Sequence, residues 1–388
     1  MQIADRISRI QPSITLEMTA KAAELRSQGV DVINLSVGEP DFDTPDNIKE
    51  AAYGAIKTGL TKYTAGAGTP DLKNAIITKL ERDNNLQFQA NNIIVSCGAK
   101  HSLYNACQVL FQKNDEVIIF NPYWVSFPDF VSITGAKPIF VGTNADKQYE
   151  PNFDELEKAL SKNTKGIIIN SPSNPTGGVW SNEAIQRTLD IAKQKKLWVF
   201  SDECYEQLTY DSSFTSLQNF DLNNTQILTF QSCSKTYSMT GWRIGYTAGN
   251  PEVIKAMAKL QSQSTSCPNS IAQAAATEAL AGDQSSVLKM KNKFKKRRDF
   301  IIESLNSIDG IECEMPGGTF YAFPSFEGLI KQNKIKNVSD FCFKLLKEKS
   351  VVSVPGKSFG SDNNIRFSYA ISSKRINLAI QRMKELLK

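Results

Sequence analysis

Histidine is nearly missing from this chain, with His101 alone among 388 residues. A hydrolase of the Ser/His/Asp type needs a histidine base, so that class would have to rest on His101. The seven cysteines (Cys97, Cys107, Cys204, Cys233, Cys267, Cys313, Cys342) are scattered and form no Cys-x-x-Cys pair. They offer neither zinc-ligand spacing nor a disulfide framework, and His101 and Cys97 are expected to be structural. No apolar run approaches the roughly 20 residues of a membrane span. Met1 to Arg6 lacks the apolar core of a secretion signal, so a cytoplasmic location is expected. A large excess of one charge is lacking too: the formal net charge is +5, too slight to suggest nucleic acid. The densest basic run, Lys289 to Arg298, has Val287, Met290, Phe294, Ile301 and Leu305 threaded through it at helical spacing. It reads as a long helix with a solvated basic face. No Gly-x-Gly-x-x-Gly follows the first strand, which counts against a dinucleotide-binding oxidoreductase. Internal repeats and low-complexity linkers are absent.

What is present is ordinary in bulk, with 41% hydrophobic and 22% charged residues in a length that suits two domains. From Asn92 onward, apolar strand-like runs alternate with helical patterns. Asn92–Ser96, Glu116–Phe120, Lys137–Val141, Lys165–Asn170 and Leu197–Phe200 read as strands. Pro122-Tyr123-Trp124 is expected to open a helix, and Thr44-Pro45 to cap one with proline in its first turn. This βαβα order predicts an α/β fold with a mostly parallel mixed sheet flanked by helices, whose ligands gather beyond the carboxyl ends of the strands. Candidate polar groups stand at such ends: Gly98, Asn170 to Pro175, and Asp202. The C-terminal part, with short strands and helices from Thr319 on, predicts a smaller α+β domain. The expected division is residues 1–45 as an arm and part of the small domain, 46–285 as the large domain and 286–388 as the small domain.

The stretch Ser232-Cys233-Ser234-Lys235-Thr236 to Arg243-Ile244-Gly245 lies between two core-type strands. A strand interior does not favour lysine. One reading is a salt bridge; the other is a desolvated amine with a depressed pKa, able to form a Schiff base. Ser232, Ser234 and Arg243 suit a phosphate. So does the turn Cys97-Gly98-Ala99-Lys100, where a strand runs into a helix N-terminus, although an ordinary βα connection has the same form. An amine beside a phosphate site suggests pyridoxal phosphate.

Five motifs occur in order over nearly the whole chain: Gly38-Glu39-Pro40-Asp41-Phe42-Asp43-Thr44-Pro45, Asn174-Pro175-Thr176-Gly177, Ser201-Asp202-Glu203-x-Tyr205, Ser232-x-Ser234-Lys235-x(7)-Arg243, and Ile365-Arg366-Phe367-Ser368. Together they resemble the class I aminotransferases of the fold-type I pyridoxal-phosphate enzymes, most of all bacterial aspartate aminotransferases with Gly-x-Lys after the first sheet strand. The resemblance implies a pyridoxal 5'-phosphate cofactor, ping-pong transamination and a homodimer. It implies that Lys235 holds the cofactor aldehyde and then shuttles the substrate Cα proton. Asp202 would pair with the ring nitrogen, and Tyr205 and Asn174 would hydrogen-bond the phenolic oxygen. Gly98, Ala99 and Lys100, with Ser232, Ser234 and Arg243, would hold the phosphate, and Trp124 would stack on the ring. Arg366 would bind the substrate α-carboxylate, helped by Asn174 and the Gly38 backbone. Tyr63 would reach the phosphate in the neighbouring subunit.

Bland alternatives accompany each position: Asp202 as a helix cap, Trp124 as core, Arg366 as a surface pair, Tyr63 packed in its own subunit, Asn174-Pro175 as only a turn. For substrate choice, the resemblance associates Lys100 and Thr15 with acidic substrates. That implies transamination between L-aspartate and 2-oxoglutarate, with prephenate, aromatic and other amino-acid aminotransferases as alternatives. A non-catalytic pyridoxal-phosphate-binding regulator would carry an added DNA-binding domain, for which the stretch before Gly29 has no room.

Overall fold

Ile93-Ile94-Val95 and Ile167-Ile168-Ile169 show no polar alternation because both faces of their sheet are covered; each of these side chains is at most 2% exposed. The computed structural model describes residues 3–10, 14–223 and 225–388, without the side chains of residues 14–17 and 19. Its main sheet has seven strands in the order Ile93–Ser96, Gly245–Ala248, Ile227–Ser232, Trp198–Asp202, Thr164–Asn170, Glu116–Phe120, Lys137–Val141. Neighbours are parallel except at Gly245–Ala248, which runs antiparallel to both of its partners. Parallel pairs need crossovers, and helices Phe127–Ser132 and Asn182–Lys195 are among those that supply them. The antiparallel strand follows from the short excursion between Ser232 and Gly245, which returns the chain beside the strand it has just left. That excursion carries Lys235.

A second layer of short strands lies in the C-terminal part. Ile365–Ser368 pairs with Tyr321–Ala322 and with Val354–Pro355, while Val351–Val352 pairs in parallel with Ile33–Asn34 from near the start of the chain. Ile33 and Leu35 are buried in one apolar cluster with Phe341 and Phe367. The strand Ile33–Asn34 therefore places the glycine loop from Gly38 between the two parts of the chain. The basic run lies on the 22-residue helix Ser285–Asn306, with Val287, Met290, Phe294, Ile301 and Leu305 buried as the helical spacing predicts.

Two local expectations need correction. The helix near Trp124 begins only at Phe127, and residues 121–126 form a turn. Helix Asp46–Lys57 has Pro45, not Thr44, at its N-cap and no side-chain cap. The Thr44 hydroxyl instead donates to Ser238 O at 2.7 Å and accepts from Trp242 Nε1 at 2.9 Å. A long-range pair of bonds has displaced a local one.

Candidate active site

Strand Ile227–Ser232 ends in one helical turn, Cys233–Thr236, because Ser232 Oγ accepts the Ser234 N–H at 3.0 Å. This turn puts Lys235 at the wall of a cleft of about 890 Å³ beyond the strand ends. Its Nζ donates to Gly38 O at 2.6 Å. Burial, aided by the charges of Arg243 and Arg366, brings its pKa down to about 8. Asp202, at the end of the neighbouring strand, lines the same cleft. Burial pushes its pKa up to about 6, against the pull of the Cys204 hydrogen bond and of Lys235. Its Oδ1 accepts the Cys204 N–H at 3.2 Å in a turn; no helix starts there, so Asp202 is not the helix cap of the bland alternative.

The Ala99–Leu110 helix starts at Gly98, whose φ of +88° is open to glycine. A Cβ there would sit 2.4 Å from an Arg243 guanidinium nitrogen, so this backbone can approach a ligand and the arginine together. The Ala99 and Lys100 N–H groups have no acceptor among the described residues. Arg243, itself at φ +57°, donates to Thr240 O at 2.8 Å and Cys97 O at 3.3 Å. The hydroxyls of Ser232 and Ser234 lie 2.8 Å apart at the same end of the cleft wall. Open N–H donors at a 12-residue helix, two hydroxyls and a guanidinium form a cradle fit for a phosphate.

Arg366 is only 4% exposed, and no carboxylate pairs with it among the described residues. Its guanidinium donates to Asn174 Oδ1 at 2.9 Å and Ser36 O at 2.6 Å, while Nε is buried without an acceptor. It also lies 4.5 Å over the Tyr321 ring. A buried, unneutralised cation with an unused donor fits an incoming carboxylate. Tyr205 is buried with its Oη 2.8 Å from that of Tyr321. Trp124 and Lys100 complete this part of the cleft, the lysine Nζ 4.9 Å over the indole. The Lys100 side chain stays exposed, yet the cleft walls and Arg243 hold its amine below the usual lysine range.

The structure thus brings Gly38, Ala99, Lys100, Trp124, Asn174, Asp202, Tyr205, Ser232, Ser234, Lys235, Arg243 and Arg366 to one cleft, with Gly98 directly behind Arg243. Tyr63 does not join them; it is 89% exposed. The Thr15 side chain lies outside the described residues. His101 Nδ1 accepts the Cys97 N–H at 3.3 Å, a local structural bond. Sequence reasoning gave no role to Tyr321, whose hydroxyl would lie 2.8 Å from a Cβ on Gly38. The nearest signal was its place two residues after Gly318-Thr319, in a predicted strand.

Beneath Asp202 lies a second set of polar groups that the sequence reading left without function. Glu203 accepts from Ser201 Oγ and Ser216 Oγ, each at 2.7 Å, and from Gln231 Nε2 at 3.0 Å, and burial pushes its pKa up to about 7. Gln231 Oε1 accepts from Lys79, a buried cation that also pairs with Glu206.

A mixed sheet covered by helices, with a buried amine, a buried acid and an anion cradle at its strand ends, is the fold-type I class of α/β enzymes. The chain belongs to the class I and II aminotransferases: the family model described as "Aminotransferase class I and II" matches residues 30–383. It is 42% identical to an aspartate aminotransferase of Bacillus sp. (strain YM-2), over 100% of this chain and 99% of that one. It is 43% identical to an aspartate/prephenate aminotransferase of Nitrosomonas europaea, over 100% of both chains. The solved aspartate aminotransferase of Thermus thermophilus with maleate matches with a TM-score of 0.94 at 36% identity, covering 100% of both.

Proposed function

We propose that this chain transfers the amino group of L-aspartate to 2-oxoglutarate with pyridoxal 5'-phosphate, giving oxaloacetate and L-glutamate. The observation that carries this reading is the charge of the cleft. Lys100, Lys235, Arg243, Lys357 and Arg366 line it against the carboxylates Asp129 and Asp202 alone, among the described residues. A phosphate and a dicarboxylate would supply the missing negative charge. The names of the relatives and the maleate in the similar structure support the same chemistry.

When bound, the cofactor supplies an electron sink for the pair left on the substrate Cα. Gly98, Ala99 and Lys100 through their backbone, with Ser232, Ser234 and Arg243, hold the phosphate, and Trp124 covers the ring. Asp202 holds a proton at the ring nitrogen, its buried carboxylate stabilised by the opposite charge it meets there. Tyr205 and Asn174 bond the phenolic oxygen. Lys235, with a pKa of about 8, has an appreciable neutral fraction near neutral pH and takes and returns the Cα proton. Arg366, oriented by Asn174, holds the α-carboxylate, joined by the Gly38 N–H, which has no acceptor among the described residues. Lys100 and Thr15 select the distal carboxylate.

The working unit is a homodimer in which Tyr63 bonds the neighbouring subunit's phosphate; its 89% exposure supports this. The cofactor-binding domain spans residues 46–285 and the small domain 286–388, with residues 1–45 forming an arm and part of the small domain. A cytoplasmic location belongs to the same proposal. Among the described residues no helix is long and apolar enough to cross a membrane.

Steady-state assays of Lys100→Ala test the substrate assignment. The expected kcat/KM for aspartate falls about fivefold, the upper value of one exposed ion pair, while an apolar donor reacts as before. Unchanged aspartate turnover would sink the role of Lys100. Prephenate is a second acceptor to assay, because it is also a dicarboxylate and one relative bears its name.

A further inference from the structure

Lys100 alone is a weak anchor for a distal carboxylate. Asp129 lines the same cleft, and its charge acts directly on the Lys100 amine, offsetting part of the attraction. A second cation enters the cleft from a different part of the chain. Lys357 lies on the short turn Gly356–Phe359, next to the strand Val354–Pro355 that pairs with the strand of Arg366. The turn is tied to the aromatic wall: Phe359 O accepts the Tyr123 N–H at 3.0 Å. Phe359 also lies against the α-carboxylate anchor, its ring 4.9 Å from the Arg366 guanidinium. Lys100 meets the same wall through Trp124 at 4.9 Å. Two lysines from two elements therefore flank the Tyr123-Trp124 segment.

An exposed turn lysine is ordinarily just solvated. Two facts separate Lys357 from that case. Its side chain makes no ion pair or hydrogen bond among the described residues, although it lines the cleft. Its turn also packs against both the Arg366 anchor and the Tyr123 backbone, which holds the lysine at the cleft wall.

We propose that Lys357 is a specificity-determining residue for the distal carboxylate of an acidic amino-acid or oxo-acid substrate, acting alongside Lys100. This rests on the acidic-substrate reading of the cleft. The substrate spans the two anchors: its α-carboxylate lies on Arg366 and its distal carboxylate between Lys357 and Lys100. Lys357 reads charge and distance.

The test compares the holoenzyme with Lys357→Ala and Lys357→Arg, using aspartate and phenylalanine as donors and maleate as a competitive inhibitor. Lys357→Ala is expected to lower kcat/KM for aspartate about tenfold, chiefly through KM, and to weaken maleate inhibition similarly. Phenylalanine turnover and cofactor content are expected to stay at wild-type levels, and Lys357→Arg to recover most of the aspartate activity. An unchanged preference for aspartate in Lys357→Ala, or an equal loss for both donors, would overturn the assignment while leaving the acidic-substrate reading standing. A wild-type enzyme that itself shows no preference for aspartate would overturn that reading, and this inference with it.

Discussion

At the scale of the residue, the buried amine of Lys235 sets function against stability. Its pKa is about 8 in the folded apoprotein, against an ordinary lysine value of 10.5. Between these values the unfolded chain binds more protons than the folded one, so stability rises with pH across that window. Below about pH 8 the full penalty applies, at most about 3 kcal/mol at 1.36 kcal/mol per pH unit. The apoprotein of Lys235→Met is therefore expected to be more stable than the wild type near pH 7 by up to about 3 kcal/mol, with the gap closing toward pH 10.5. Urea denaturation of both apoproteins from pH 7 to 10.5 checks this. A gap that widens with pH would contradict the burial of a cation. The oddity of Lys235 was legible in its sequence, because a lysine between two apolar runs conflicts with its surroundings. Tyr321 carried no such conflict. An aromatic in a predicted strand is ordinary, and only the packing shows its hydroxyl against Gly38 and Tyr205.

At the scale of the element, the strand end bearing Asp202 is fixed from below by the helix Pro70–Asn84. Lys79, 2% exposed, reaches from that helix to Glu206, to Asn84 Oδ1 and to Gln231 Oε1, both of the last two at 2.8 Å. Gln231 passes the connection to Glu203, the neighbour of Asp202. Removing one member of such a network leaves a buried charge unpaired, which costs about 3–5 kcal/mol. Lys79→Met is expected to lose stability of that order in urea denaturation. The double variant Lys79→Met/Glu206→Gln is expected to regain more than half of it, since the orphaned charge goes too. An additive double variant would mean that Lys79 and Glu206 do not form a pair. Elements of this kind were partly legible. The seven sheet strands follow from apolar runs, because a doubly covered sheet demands them. The turn at Trp124 and the cap at Thr44 were misread because distant partners, among them Ser238 and Trp242, decide those bonds. The cleft residues standing in motifs could be named in advance. Lys79 and Lys357 could not, since each owes its place to neighbours far along the chain.

At the scale of the whole molecule, the chain leaves an apolar surface bare. Tyr53 is 56% exposed, Ile56 51%, Leu60 40% and Tyr63 89%, on the end of the Asp46–Lys57 helix and the loop that follows it. Clustered exposed apolar side chains mark an interaction surface, and a two-fold axis would bury each of them twice. Tyr63 separates two contributions that such an interface makes. Tyr63→Phe keeps the apolar ring and removes only the hydroxyl. If the proposed dimer and phosphate bond hold, it is expected to stay dimeric in sedimentation velocity and to release cofactor about tenfold more readily on dialysis, from the loss of that one hydrogen bond. Tyr63→Asp places a carboxylate from each subunit in the interface. Its desolvation cost and the repulsion of the cofactor phosphate both oppose assembly, so the dimer Kd is expected to rise about 100-fold. If the bare surface instead serves some other purpose, the wild type will sediment as a monomer at micromolar concentration, and neither substitution will alter its mass or its hold on the cofactor.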